Sequence, residues 1–335
     1  MAGEYAPDVV EDLQLMVAGA VGRWGLSPAT RVSLMNVSEN ATFLLSDRQA
    51  RREVVLRVHR VGYSSAQEIR SELEWLSALR RDGVIETASP VRGGNGDWVH
   101  TLASPSGRPT RHAVAFERLP GREPQAGGEA PQWFERLGEL TARMHGHSRS
   151  WDLPAGFCRK RWDMDAMVGE NGHWGPWRAA IGLDAAGAAV IGKALSLVRR
   201  RLEHFGMGAG RFGLVHADLR LANLLVDGAT LRIIDFDDCG FSWFMYDFAA
   251  AVSFIEHEAL VPELLRAWLA GYRRVAPLAA EDAGEIPTFV ILRRILLTAW
   301  IASHSEVPAA RELGAAYTAG TVLLAEEFMG GRLLA

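Results

Sequence analysis

Residues 216–235, H-A-D-L-R-L-A-N-L-L-V-D-G-A-T-L-R-I-I-D, constrain this chain more than any other stretch. Short apolar runs at 212–215, 224–226 and 231–234 read as strands, and Asp227-Gly228-Ala229-Thr230 between the last two is a tight-turn signal. A hairpin of that size returns its end to its beginning. It therefore draws together Asn223, just before its first strand, and Asp235, just after its second, while Asp218 lies on the preceding loop. Asp and Asn beside glycine are common turn formers, and any one of them alone reads as a turn or a cap. The set carries more. Oxygens from both ends of the hairpin can share one hard cation, and Mg²⁺ is normally held by few protein ligands plus phosphates and water. Phosphoryl transfer needs those groups: a carboxylate to orient and deprotonate a hydroxyl, an amide oxygen and a second carboxylate to hold metal on nucleotide phosphates.

With those motifs in view, the chain resembles the aminoglycoside phosphotransferase and choline kinase superfamily, nearest its homoserine-kinase-like and stress-response-kinase-like branch. The resemblance rests on V-H-A-D-L-R-L-A-N-L-L (215–225), I-I-D-F-D-D-C-G-F-S-W-F-M-Y-D-F-A (233–249) and E-N-A-T-F-L-L (39–45). V-V-L-R-V-H-R (54–60), a following E-I-R-S-E-L-E-W-L segment and F-E-R-L-P-G (116–121) add to it, in order over nearly the whole chain. It implies an α+β, bilobal protein-kinase-like fold, with a small β-rich N-lobe holding one main helix and a larger, mostly helical C-lobe. It implies ATP and Mg²⁺, with Asp218 catalytic and Asn223 and Asp235 on the metal. Asp237 is a second metal ligand or an acceptor contact, and His216 and Asp247 are scaffold that braces the catalytic loop. The acceptor is a small-molecule hydroxyl on an amino alcohol, an aminoglycoside or another antibiotic. A protein Ser/Thr kinase of the stress-response type shares all of these motifs. A non-catalytic pseudokinase is disfavoured by the intact Asp218, Asn223 and Asp235.

The N-terminal half fits the same division: a nucleotide-binding lobe over 1–118, a Gly- and Pro-rich hinge and linker over 119–131, and a catalytic and acceptor-binding lobe over 132–335. Segments 32–45 and 54–59 read as strands from β-branched content and partial alternation. The loop 35–40 between the first two has no glycine, so backbone amides with the Ser38 hydroxyl or the Asn40 amide are its phosphate donors; an ordinary polar turn is the alternative. Period two puts Val55, Arg57 and His59 on one face, and the resemblance assigns Arg57 to the α- and β-phosphates, with Arg60 as competitor. Arginine stands where lysine is usual, keeping the charge and changing the geometry. Ser65-Ala66-Gln67-Glu68 is a capping box opening a helix whose stripe is Ile69, Leu73, Leu76 and Leu79. Glu72 beside that stripe can reach back to Arg57. Glu117 and Leu119 fall at the hinge, where main-chain groups meet an adenine edge.

In the C-terminal half a helix near Trp133 ends at His145 and His147, read as packing and end-charge compensation. Segment 151–180 carries five aromatic residues among Trp and Phe, with Asp163 and Asp165. It reads either as an aromatic, acidic wall for an amine-bearing alcohol or as core packing. The apolar run 289–301, interrupted by Arg293-Arg294, is too short to span a bilayer and reads as a core helix with one wet edge. A net charge of −4 over 335 residues, with no long single-sign block, argues against a nucleic-acid surface. Two cysteines make neither a disulfide framework nor a metal site, and the N-terminus has no signal pattern. The expectation is a cytoplasmic protein without a membrane partner; the oligomeric state is open.

Overall fold

Alternating β-branched and apolar residues in the first 120 positions make an antiparallel sheet, and the way its two faces are covered sets the position of the site. The computed structural model describes residues 6–125 and 127–335. Helix α1 (Pro7–Ala18) precedes strands β1 (Arg31–Val37), β2 (Ala41–Asp47) and β3 (Arg52–Val58); helix α2 (Ala66–Arg81) follows, then β4 (Pro90–Val91), β5 (His100–Leu102) and β6 (Arg111–Glu117). The sheet order is β1-β2-β3-β6-β4, with β5 also on β6. In β3 the period of two sends Val54, Leu56 and Val58 toward α1, into a core with Leu13, Val17 and Trp24. Arg57 lies on the other face, which α2 covers. The α2 cap has the anticipated form, with Ser65 Oγ accepting from Glu68 N at 3.2 Å and Glu68 Oε2 from Ser65 N at 2.8 Å. The α2 stripe Ile69, Leu73, Leu76 and Leu79 is buried in the same core as the C-terminal residues, so α2 joins the two lobes.

The C-lobe is built on helices. Its elements are α3 (Ala130–Ser150), β7 (Lys160–Arg161), α4 (Met164–Val168), α5 (Ala185–Phe205), β8 (Phe212–Val215), the hairpin β9 (Leu224–Asp227) and β10 (Thr230–Ile233), and β11 (Gly240–Trp243). Then come α6 (Tyr246–Ala251), α7 (Val261–Val275), α8 (Ala280–Gly284), α9 (Ile286–Ser303) and α10 (Pro308–Met329). Helices α3 and α7 approach so closely at Gly138 and Gly271 that a Cβ on either would overlap the other's backbone. The mixed α+β bilobal kinase-like fold expected from the sequence is therefore the observed one.

Two helical expectations are corrected. Helix α3 runs on to Ser150, so His145 is not at its end but fully buried inside it. Helix α9 has no wet edge: Arg293 and Arg294 are each 2 % exposed. Segment 280–303 has the length and mean hydropathy of a membrane span, yet 83 % of that window is buried inside the protein. Its two arginines are tolerated because every charge has a partner. Arg294 meets Glu256 at 2.6 Å and the Tyr317 carbonyl at 3.2 Å, and Arg293 points into the interlobe cleft.

Candidate active site

The loop from β8 to β9 and the stretch after β10 each contain a non-glycine residue in the left-handed region, Ala217 (φ 66°) and Asp235 (φ 62°). Such backbone persists only where its surroundings hold it. For Ala217 the holder is Asp247, on α6. Its Oδ1 accepts from Ala217 N at 2.8 Å and its Oδ2 from His216 N at 3.3 Å. Asp247 is itself held by His145, whose Nε2 lies 2.9 Å from Oδ2 while Nδ1 faces the Tyr272 hydroxyl at 3.1 Å. Burial lowers the His145 pKa, which keeps the ring neutral, donating to the carboxylate and accepting from the tyrosine. His216 is committed in the same way: Nδ1 accepts from Asp218 N at 3.3 Å, and Nε2 donates to the Ile234 carbonyl at 3.1 Å. Both nitrogens brace backbone, and burial lowers this pKa too.

Held on that loop, Asp218 meets three donors. Arg293 Nη2 reaches Oδ1 at 2.7 Å; Asn223 Nδ2 and Arg220 Nε reach Oδ2 at 2.7 and 3.2 Å. Burial works against its ionisation, but the Arg220 and Arg293 guanidinium groups outweigh it and hold the carboxyl below the usual range. Because Asn223 spends its amide nitrogen on Asp218, its carbonyl oxygen is the atom left to face the cleft. The hairpin then does what its length dictates. Ile234 N donates to the Asn223 carbonyl at 2.9 Å, and Ile233 pairs with Leu224, which sets Asp235 beside Asn223. Asp235 keeps its side chain 44 % exposed, open to the cleft. From the N-lobe, Arg57 Nη1 reaches Asp235 Oδ1 at 2.9 Å, while Nη2 is gripped by both oxygens of fully buried Glu72 at 2.6 Å.

Asn40 and Asp237 are placed together. Asn40 Nδ2 donates to Asp237 Oδ2 at 2.6 Å, and its Oδ1 accepts from Arg60 N at 3.1 Å. Asp237 Oδ1 lies 3.9 Å from Arg57 Nη2 and 3.7 Å from His59 Nδ1. Asp238 takes Tyr63 Oη at 2.7 Å and Lys160 Nζ at 3.1 Å, and the tyrosine bond is a further tie between lobes. Glu39, on the β1–β2 loop, accepts from the indole N–H of Trp300 on α9. Burial, with Asp238 and then Asp218 nearby, pushes its pKa up to about 7. A carboxyl raised in the folded state holds its proton more tightly there than in the unfolded chain. Stability from this group is therefore lost as pH climbs from the ordinary carboxylate range through about 7. Glu39→Gln, a neutral mimic of the protonated form, is expected to raise the Tm of the free enzyme at pH 8 and to leave it nearly unchanged at pH 5. Thermal melts at the two pH values check this, and equal shifts at both would contradict it.

Along the hinge, a cavity of about 260 Å³ runs from Val55, Leu76 and Phe116 past Glu117 and Leu119 to Arg57 and Asp235. Its outer end is apolar and suits a flat base. The Glu117 amide is already spent on the Ser89 carbonyl at 2.9 Å. Ser38 lies on the β1–β2 turn, where its amide donates to the Asn40 carbonyl at 3.0 Å. Of the two readings of 151–180, the acidic wall does not form: Asp163 caps α4 and pairs with Arg161, and Asp165 pairs with Arg199 on the surface. Trp162, Trp174 and Trp177 are core residues, and Trp174 also sits under the Arg293 guanidinium at 5.4 Å. The site residues that sequence reasoning missed are Arg293, Arg220, Glu39 and Asp238. An arginine inside an otherwise unbroken apolar helix was the available signal for the first of them.

A model of the phosphotransferase enzyme family matches residues 34–278, well over half the chain. Amicoumacin kinase of Bacillus subtilis (strain 168) is 27% identical over 294 residues, 84% of this chain and 82% of that protein. The solved structure of a microcompartment-associated aminopropanol kinase superposes with a TM-score of 0.88 and 41% identity, covering 96% of this chain and 99% of that one. The amicoumacin kinase hAmiN, solved with AMP-PNP, Ca²⁺ and Ami, superposes at 0.77 with 21% identity, covering 99% and 96%.

Proposed function

The chain belongs to the phosphotransferase enzyme family and is a small-molecule kinase, and we propose that it moves the γ-phosphoryl group of ATP, in the presence of Mg²⁺, to the hydroxyl of a short amino alcohol. The observation that carries this reading is that Arg57 and Asp235 close the inner end of the hinge cavity while the hairpin sets Asp235 beside Asn223, which is bonded to Asp218. Asp218 orients the acceptor hydroxyl and takes its proton as the oxygen bonds to the γ-phosphorus; the bond to the bridging oxygen breaks and ADP leaves. Arg57, fixed by Glu72, secures the α/β end of the nucleotide. The side-chain oxygen of Asn223, Oδ1, and the open Asp235 carboxylate form an oxygen-only donor pair of the kind that suits a hard cation. Partial desolvation inside the cleft, with Asp237 and Asp218 close by, outweighs the pull of Arg57 and holds the Asp235 carboxyl above its usual range, so a cation beside it relieves an existing repulsion. Bound there, Mg²⁺ supplies charge neutralisation to the phosphates. The protein's own part is positioning, which in phosphoryl transfer accounts for most of the catalysis.

The amino alcohol is favoured by the 41% identity to the aminopropanol kinase and by Glu39, a carboxyl near Asp218 whose raised pKa an ammonium group would relieve. An antibiotic acceptor is the second reading, supported by the kinship to amicoumacin kinase. A coupled ADP-release screen separates the two, run with ethanolamine, 1-aminopropan-2-ol and 3-aminopropan-1-ol against aminoglycosides and nucleoside antibiotics. Release with an antibiotic and none with any amino alcohol above the acceptor-free rate would overturn the first reading.

A further inference from the structure

A buried ion pair adds little stability over apolar residues of the same volume, so an arginine kept inside the apolar helix α9 asks for another explanation. Arg294 pairs with Glu256, which is fully buried, and serves the core. Arg293 instead pairs with Asp218, whose side chain is 16 % exposed. Its guanidinium is fixed at three further points. Nε donates to Ser253 Oγ at 3.1 Å, and Nη1 donates to the Tyr246 hydroxyl at 3.1 Å and to the Ala217 carbonyl at 3.3 Å. Nη2 is then aimed at Asp218 Oδ1, 2.7 Å away. A planar fork held this way cannot swing, so the carboxylate meets a donor whose place is set by the C-lobe core. Counting acceptor positions separates the two carboxylate oxygens. A carboxylate offers about four, two on each oxygen. On Oδ2 both are filled, by Asn223 Nδ2 at 2.7 Å and Arg220 Nε at 3.2 Å. On Oδ1 Arg293 fills one, and no other donor among the described residues fills the second.

We propose that Arg293 is the positioning residue of the base: it selects Asp218 Oδ1 as the atom that receives the acceptor proton and aims the open lone pair of that oxygen at the hydroxyl. The proposal rests on the reading of Asp218 as the base, and not on which alcohol is the acceptor. During transfer the hydroxyl O–H bond breaks toward Oδ1 while the oxygen bonds to the γ-phosphorus, and the bond to the bridging oxygen breaks as ADP leaves. Arg293 keeps its own protons throughout, because a guanidinium does not deprotonate in a protein. It acts only through Asp218. Lysine cannot replace it, since three donors on one nitrogen at the end of a flexible stem hold no plane. Misplacing a reacting group by about 1 Å can cost on the order of 10²-fold in rate, which sets the size of the expected effect.

The test is a double-mutant cycle on the full-length chain, with Arg293→Met made in the wild type and in Asp218→Asn and a melt of each variant as control. Single-turnover transfer, acceptor KM and direct nucleotide titration are the readouts. A positioning role predicts that Arg293→Met lowers kcat by about 10²-fold with the nucleotide Kd kept within a few fold, and that in the Asp218→Asn background it costs no more than about threefold. A merely structural role predicts a weakened nucleotide Kd and equal losses in both backgrounds, and that result would overturn the proposal. Arg293→Lys keeps the charge and is expected to recover only part of kcat; full recovery would reduce the role to charge alone and overturn the positioning. Should Arg293→Met not fold, Tyr246→Phe decides. It removes a brace of Nη1 without touching Asp218 and should lower kcat by about threefold to tenfold, the worth of one hydrogen bond, at unchanged nucleotide Kd. A wild-type rate in that variant counts against the proposal. The same cycle is read on ATP hydrolysis, with water in place of the alcohol. Hydrolysis that shows the coupling while no amino alcohol is phosphorylated sinks the acceptor reading and leaves Arg293 in its role. Neither transfer nor hydrolysis in the wild type removes the base, and the proposal with it.

Discussion

Asp218→Asn is expected to lower kcat by about 10²–10⁴-fold, the range a positioned general base contributes, with the nucleotide Kd changing no more than a few fold. The asparagine keeps an oxygen for Arg293, whose Nη2 sits 2.7 Å from Oδ1. The other oxygen becomes an NH₂ group facing Asn223 Nδ2 and Arg220 Nε, now 2.7 and 3.2 Å away, so donor meets donor on that side. Some loss of order in the loop therefore accompanies the loss of the base, and a melt of the variant is the needed control. Asp247 is untouched, and its bonds to His216 N and Ala217 N hold the loop on the other flank. The base role predicts a fall in kcat with the nucleotide affinity kept; a purely structural role predicts a loss of both. Single-turnover rates with direct nucleotide titration separate the two, and wild-type turnover in a folded variant would refute the assignment.

What the sequence disclosed about this fold followed distance along the chain. The β9–β10 hairpin, the Ser65 capping box and the pairing of Arg57 with Glu72 are near-neighbour matters, set by turn chemistry and by periods of 2 and 3.6. The bilobal architecture was legible because the motifs occur in a recognisable order. Arg293 was not, because a charged pair inside an apolar run marks either an exposed edge or a buried partner, and only tertiary packing decides. Here Asp218, 75 residues away, and Glu256, 38 residues away, supply the partners. His145 misled in the same way: its role depends on Asp247, 102 residues on. The bond from the Asn40 amide to Asp237, 197 residues away, is likewise a matter of tertiary packing. Of the two readings of 151–180, core packing prevailed because nearby arginines satisfy Asp163 and Asp165 locally.

Asp235→Ala is expected to act on the metal rather than on the fold. The carboxylate is 44 % exposed, and its partner Arg57 keeps the bidentate grip of Glu72 after the substitution, so no guanidinium is left without a counter-charge. That contrast matters, because stranding a buried charge is what makes ion-pair mutations unfold proteins. Stability should therefore change little. Mg²⁺-dependent nucleotide affinity should fall by about 100-fold or more, since removing the only carboxylate of a two-ligand set sacrifices charge stabilisation of several kcal/mol. Magnesium titrations at fixed ATP, followed by nucleotide binding and by turnover, read both effects. The wild type carries an internal check through pH. Partial desolvation in the cleft, with Asp237 and Asp218 and against the pull of Arg57, holds the Asp235 carboxyl above its ordinary range, and it must be ionised to bind a cation. Mg²⁺ affinity should accordingly weaken as pH falls through that raised range, and Asp235→Ala should flatten the dependence. An unchanged Mg²⁺ midpoint in the variant would move the metal away from Asp235. Asp237 would be a poor replacement, because Asn40 already holds one of its oxygens and Arg57 and His59 crowd the other.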